Sequence, residues 1–313
     1  MCITLLAAKQ PTVSVFMMTY NHEKYITQAL EGIMMQRTNF DFEIVIGEDC
    51  SIDNTRKIVL EFAGKYPGKF KCLMHEQNIG VVANQLATLK ECSGKYIALC
   101  EGDDFWTDPR KLQKQVDFLE SNPNYVLIHT NKAVLHNNKL HTDNSLQIKS
   151  GFIFEDLMLL PLICTLTVLG KADILKDSLA RVSLLIKIKK WLMGDLPLWL
   201  DIAQTYQIAY LNDVTGVYRL LDESASHSKN INKAYQFEHS VICIKEYFYK
   251  NYKRSKNKIS LKFRLRFAEM IFHARKRLVI DYRWKARREL IRIIFTNPLL
   301  HVYVLYKKIL RIL

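Results

Sequence analysis

The stretch "GKYIALCEGDDFWTDPRKLQKQ", residues 94–115, runs an apolar segment into four carboxylates. Residues 96–100 lack polar alternation, the pattern of a strand buried on both faces, as in a parallel sheet. Asp108 followed by Pro109 reads as a helix start, a capping acid and a proline at the first helical position, with the helix running to about residue 119. Asp103 and Asp104 come too early to cap that helix. With Glu101 they form a crowd of like charges at a strand end, and such crowding needs a compensating partner. Oxygen ligands without His or Cys suit a hard divalent cation, Mg²⁺ or Mn²⁺, and such a cation draws further oxygens from a phosphate ligand. Gly102, between the acids, lets the backbone approach a ligand closely.

The same strand–loop–helix pattern repeats on the N-terminal side. Apolar runs at 13–19, 42–47 and 70–75 predict strands, each followed by a short polar loop and a helical stretch, at about 24–35, 55–65 and from 84 to about 91. Asp53 reads as the cap of the second helix. A fifth strand is expected at 125–130. This alternation predicts an α/β fold with a mostly parallel sheet and helices on both faces. Right-handed crossovers then gather the strand-end loops on one rim, where ligands of such sheets bind. Residues 19–21, 48–49 and 101–104 all fall on that rim. Residues 131–150 are polar and read as a hairpin or exposed loop, 151–220 resume a mixed α/β pattern, and the chain from about 228 reads as helical and basic.

Composition narrows the classes. The chain has 313 residues, 49% of them hydrophobic, enough for a packed core of one large domain or one with an appendage. The seven cysteines form no Cys-x-x-Cys pair, so they read as reduced thiols in a cytosolic setting rather than a zinc site or disulfide framework. The segment "MCITLLAA" is too short and uncharged for a secretory signal, and no apolar run reaches spanning length. The net charge of +14 is unevenly placed: residues 245–313 hold 20 Lys/Arg against 4 Asp/Glu, and residues 1–244 hold 25 against 27. Neither Gly-x-x-x-x-Gly-Lys-Ser/Thr nor Gly-x-Gly-x-x-Gly occurs, which removes the main support for P-loop and dinucleotide-binding readings.

Four segments, "VSVFMMTYNHEKYITQAL" (13–30), "EIVIGEDCSIDNT" (43–55), "NIGVVANQ" (78–85) and the opening stretch, together resemble a family 2 glycosyltransferase of the bacterial surface-polysaccharide type. The resemblance is dense over residues 13–124 and weaker to about 219. It implies a GT-A (Rossmann-like) nucleotide-diphospho-sugar transferase fold plus a C-terminal helical basic extension. The catalytic domain would cover 1–227, with a nucleotide-binding half at about 11–124 and an acceptor half at about 125–227, and the basic helical region 228–313.

The resemblance also implies roles. Tyr20 would stack on the nucleotide base, with Thr19, Asn21 and Glu23 lining the same pocket. Asp49 would accept from the base, supported by Glu48; a turn is its alternative reading. Asn78, Gly80 and Asn84 would border ribose and diphosphate. Asp103 and Asp104, beside Gly102, match the last two acids of the metal motif, and Glu101 stands where the family has aspartate. In "WLMGDLPLWLDIA" (191–203), Asp195 stands where the family carries its base, a role that competes with simple helix capping. "VYRLLDESASHS" (217–228) resembles the segment that closes over the diphosphate, so Arg219 or His227 would steady the departing charge, or either is an ordinary surface residue. "IDYRW" (280–284) lacks the glutamine of the processive motif, which favours single addition.

The C-terminal "FRLRFAEMIFHARKRLVIDYRWKARRELIRIIF" (263–295) mixes cations with apolar residues at helical spacing. An anionic membrane surface is its expected partner through residues 245–313, against two alternatives: packing of the apolar face inside the protein, or RNA binding. No specific nucleic acid is expected. The activity expected is inverting, metal-dependent transfer of a single sugar from a nucleotide diphosphate sugar, UDP-sugars favoured, to a glycan or lipid-linked acceptor, on the inner face of the plasma membrane. A sugar-nucleotide-forming nucleotidyltransferase and a non-catalytic membrane or nucleic-acid binding protein are the alternatives.

Overall fold

In the computed structural model, residues 10–142, 148–221, 230–252 and 259–281 are described. The elements in chain order are β1 (Val13–Thr19), α1 (Ile26–Met34), β2 (Phe42–Glu48), α2 (Thr55–Lys65), β3 (Phe70–Met74), α3 (Val81–Glu91), β4 (Tyr96–Leu99), β5 (Phe105–Trp106), α4 (Lys111–Ser121), β6 (Tyr125–His136) and β7 (Lys139–Thr142). They continue with α5 (Phe154–Leu159), a 3-10 turn at Thr165–Thr167, β8 (Leu169–Lys171), α6 (Ala172–Lys189), α7 (Asp195–Ala203), β9 (Gln207–Arg219), α8 (Ile231–Lys250) and α9 (Leu261–Asp281).

The strands form one sheet in the order β3-β2-β1-β4-β8-β6-β9-β5, with β7 paired to β6. The half β3-β2-β1-β4 is parallel throughout, as the repeating strand–helix pattern requires. Its inner strands β1 and β4 are almost wholly buried, so their apolar runs pack on both faces. The other half is mixed: β8 runs antiparallel to β4 and β6, β9 is parallel to β6, and β5 is antiparallel to β9. The sixth strand runs past the expected end at 130 to His136 and turns back as the β6–β7 hairpin. Helix α4 begins at Lys111, two residues after Pro109, with Arg110 and not Asp108 at the N-cap; Asp108 instead closes the turn before the helix, its Oδ1 accepting the Arg110 N–H at 2.8 Å.

By compactness the described chain divides into two units. The first holds the residues up to Phe152, Ile163–Ser183 and Tyr206–Leu220; the second holds Ile153–Leu162, Leu184–Thr205 and the described residues from Leu221 on. Residues 1–227, read from the sequence as one domain, thus contribute to both. The first unit is built on the sheet, with Val15, Met17, Ile44, Ile46, Ala98, Leu30, Ile33 and Leu112 in its core. The second is helical. Its α9 buries Phe263, Phe267, Ala268, Ile271 and Leu278, packs on α8, and stacks Phe267 on Tyr249 at 4.6 Å between ring centroids. The apolar side of the helix for which an anionic membrane surface was expected is therefore packed inside the protein over 261–278, while Lys262, Arg264, Arg266, Lys276 and Arg277 face solvent. Among the described residues no helix is long and apolar enough to cross a membrane. Residues 282–313 lie outside the described part.

Candidate active site

Three parallel strands deliver their C-terminal loops to one rim of the first unit. Thr19 ends β1 in register with Glu48 at the end of β2, and the Asp49 N–H donates to the Thr19 carbonyl at 3.1 Å. Beyond β4 the chain stays alongside β1: Cys100 N–H donates to Phe16 O and Gly102 N–H to Met18 O, both at 3.1 Å. That pairing sets the 101–104 turn beside Thr19. Only glycine fits at 102, since a Cβ there would stand 2.6 Å from His22 Nδ1 and 2.7 Å from Thr19 Oγ1.

The first two loops are cross-tied. Asn21, in the left-handed region at φ 57°, receives the Ile52 N–H on its side chain and donates its own N–H to Ser51 Oγ, each at 3.0 Å. Glu23 accepts from the Asn54 N–H and Nδ2 at 3.0 Å. Asp53 receives the Glu23 and Thr55 N–H groups. Burial alone would raise Asp53, but those bonds, Thr55 first, hold its carboxyl below the ordinary value. Glu48 is fully buried, pairs with Arg56 and accepts the Ser51 N–H at 2.6 Å. Asp49 accepts Ile79 N–H at 2.8 Å and Gly80 N–H at 3.1 Å, and Asn78 Nδ2 donates to the Asp49 carbonyl. Asn21, Glu23, Glu48, Asp49 and Asn78 are thus all engaged in shaping the rim. Tyr20, 42% exposed between them, offers a free ring face.

Asn84 sits away from this surface. It is 2% exposed, and its amide bonds Gly47 O and His75 Nε2 beneath β2, so its side chain supports the strand instead of bordering a ligand.

The acid turn is the electrostatic centre. Asp103 and Glu101 are half-buried, and Asp104 is 1% exposed. Burial, then the charge of Asp103, pushes the Asp104 carboxyl well above the ordinary range. What holds Asp104 is the end of β9: the Arg219 N–H donates to its Oδ1 at 2.8 Å. The Arg219 guanidinium donates to the Asp103 carbonyl and to Gln28, between the rings of Tyr25 and Phe105 at 5.0 and 4.5 Å. Arg219 is only 8% exposed, which overturns the surface-residue reading. Its fit follows from pairing no short-range signal reveals, Phe105 with Val217 and Trp106 with Gly216. His227 lies outside the described residues.

Two titratable residues were missed in the sequence, His22 beside the rim and Lys111 in the interior. His22 lies 3.2 Å from Thr19 Oγ1, and burial lowers its pKa despite the charges of Asp103 and Asp53. Lys111 is fully buried over the Trp106 ring at 4.3 Å, donates to Gln115, and is lowered by burial to about 7. The available signal was position: His22 follows the β1 end by three residues, and Lys111 opens the helix after the acids.

The residues present fit a hard divalent cation in chemistry: the turn offers oxygen ligands only, and its two neighbouring aspartates repel. Among the described residues no group of three or more His, Cys, Asp or Glu side chains is arranged to hold a metal ion. Asp195 belongs to the second unit, at the start of α7. Burial raises its carboxyl, opposed by the Leu196 N–H at 2.7 Å. A raised carboxylate is a stronger base.

The comparisons bear on the fold and the family. An uncharacterized protein of Mycobacterium tuberculosis is 47% identical over 111 residues, 36% of this chain and 32% of that protein. The chain thus matches about a third of that relative's length. A glucosyltransferase of Escherichia coli, named as acting on a diphosphoundecaprenol-linked sugar, is 32% identical over 128 residues, 41% of this chain and 48% of its own. Among solved structures, S. aureus TarS in complex with UDP-GlcNAc aligns at TM-score 0.57 and 17% identity, over 87% of this chain and 89% of TarS. The Pyrobaculum calidifontis mannosyltransferase PcManGT, in complex with GDP-Man and Mn²⁺, aligns at 0.58 and 15%, over 94% and 84%. These likenesses show the GT-A fold. The profile described as glycosyl transferase family 2 matches residues 14–177, more than half of the sequence, and the chain belongs to that family.

Proposed function

We propose that this protein is an inverting, metal-dependent glycosyltransferase. It moves one sugar from a nucleotide diphosphate sugar, UDP-sugars favoured, to a glycan or lipid-linked acceptor in cell-surface polysaccharide synthesis. The observation that carries the reading is the acid turn, with half-buried Asp103 beside buried Asp104 at the C-terminal edge of a parallel sheet. Asp103 and Asp104, with Glu101 on the same turn, would hold Mn²⁺ or Mg²⁺. The bound cation would neutralise the donor's diphosphate and improve it as a leaving group. Tyr20 stacks on the base, and the loop tied by Asp49 and Asn78, with Gly80, borders the ribose and phosphates. Asp195 takes the proton of the acceptor hydroxyl as that oxygen attacks the anomeric carbon. The carbon–diphosphate bond breaks on the opposite face, so one displacement inverts the configuration.

The E. coli relative's named substrate supports a lipid-linked acceptor. The solvent-facing cations of α9 support an electrostatic, non-inserting contact with an anionic membrane, which would place the protein peripherally on the inner leaflet. The nucleotidyltransferase reading loses ground to the family membership. The test is release of nucleoside diphosphate from a panel of UDP-, GDP- and CDP-sugars with Mn²⁺ or Mg²⁺, with the product's anomeric configuration read by NMR. Metal-dependent release from one donor class with inversion supports the proposal; retention, or transfer at full rate in chelator, contradicts it.

A further inference from the structure

His22 touches all three rim loops. Its main-chain N–H donates to Thr55 Oγ1 at 2.7 Å, tying it to the loop after β2. Its carbonyl accepts the N–H groups of Tyr25 and Ile26, which starts α1. Its ring lies 3.2 Å from Thr19 Oγ1 at the end of β1. The Gly102 backbone closes on that same edge of the ring: a single methyl there would stand 2.6 Å from Nδ1 and 2.7 Å from Thr19 Oγ1. Asp103 follows directly. The imidazole is therefore the wall against which the acid turn is set, and the Thr19 hydroxyl is what holds the wall in place.

We propose that His22 is a positioning residue: held by Thr19, its ring fixes the Gly102 backbone and thereby the direction in which Asp103 meets the donor's cation. This rests on the metal-dependent donor site proposed above. Groups that orient a metal ligand typically change metal affinity by about 10–100-fold when removed.

The experiment measures nucleoside diphosphate binding by calorimetry across a Mn²⁺ series, beside the melting temperature without ligand. It compares the wild type with His22→Leu, His22→Asn, His22→Gln, Thr19→Val and the double variant Thr19→Val/His22→Leu. His22→Leu is expected to raise the Mn²⁺ half-saturation about tenfold or more. His22→Asn, whose amide reaches the Nδ1 position, is expected within about twofold of wild type, and His22→Gln is not. Thr19→Val is expected to match His22→Leu, with no further loss in the double variant, because both break one contact. A lower melting temperature with unchanged Mn²⁺ half-saturation would overturn the proposal and leave His22 a packing residue. Rescue by Gln but not Asn would overturn it in favour of a direct ligand contact through Nε2. Absence of metal-dependent nucleotide binding by the wild type would instead bring down the donor-site reading, and this proposal with it.

Discussion

The acid turn of the first unit and the basic outer face of α9 in the second are both dense in charge, and the protein treats them in opposite ways. At residues 101–104 the charges are drawn against their preference into a half-buried turn, where the Arg219 main-chain N–H meets the Asp104 carboxyl and the buried Arg219 guanidinium holds the Asp103 carbonyl. On α9 the cations simply stand in water while the apolar side of the same helix packs inward. Burying a charge is costly, so charge held in that way implies a use, whereas a solvated charge is cheap and implies at most a long-range attraction. We therefore assign the proposed chemistry to the rim acids, and the cations of α9 are the charges whose loss the reaction should tolerate.

The strongest way to break that contrast is Asp195→Asn. Turnover should fall about 10²–10⁴-fold, the usual contribution of a general base, with donor binding intact; loss of donor binding would make Asp195 structural. As the proposed base, Asp195 must be deprotonated for activity. Because burial raises it, the acidic limb of the kcat profile should lie above the ordinary carboxylate range and vanish in that variant. Next comes Arg219→Met, which leaves the Asp103 carbonyl and Gln28 without their cation and should cost about 1–3 kcal/mol in denaturant unfolding, as buried groups losing a partner do. Unchanged stability would mean that the turn holds itself.

Reversing charge on α9, as Lys262→Glu with Arg266→Glu, should weaken binding to phosphatidylserine vesicles about thirtyfold or more at low salt while leaving transfer to a soluble acceptor unchanged, since about 1 kcal/mol per cation is at stake. Loss of transfer would erase the contrast between the two regions. The smallest effect concerns Lys111, lowered to about 7 by burial. Between its folded and unfolded values the unfolded chain binds more protons, so stability rises with pH from 7 toward about 8.5, above which cysteine ionisation enters. Lys111→Met should flatten that slope in chemical denaturation.

The parallel half of the fold was legible because β1, β2 and β4 are continuous apolar runs separated by short polar loops, a signal local to each segment. Strands β5 and β8, two and three residues long, carry no such signal and exist through their partners in β9, β4 and β6. The candidate site divides likewise. Crowded acids and an exposed tyrosine announce themselves in a row of letters. Arg219 reaches the acid turn across 115 residues, and Asn84 turns inward because Gly47 leaves room beneath β2; both depend on chain segments meeting. His22 was adjacent in sequence to residues already singled out, yet its meaning comes from Gly102, eighty residues on, a contact no local pattern encodes.

The most direct measurement is a thermal-shift comparison of the wild type and Asp103→Ala with UDP, GDP, CDP and ADP, each with and without Mn²⁺ or Mg²⁺. A ligand that binds only the folded state raises the melting temperature by mass action. One nucleotide should stabilise the wild type only when metal is present, and Asp103→Ala should lose that stabilisation while melting within a few degrees of wild type without ligand. A metal-dependent shift that survives in Asp103→Ala, or no shift with any nucleotide in folded wild-type protein, would contradict a donor site built on the acid turn.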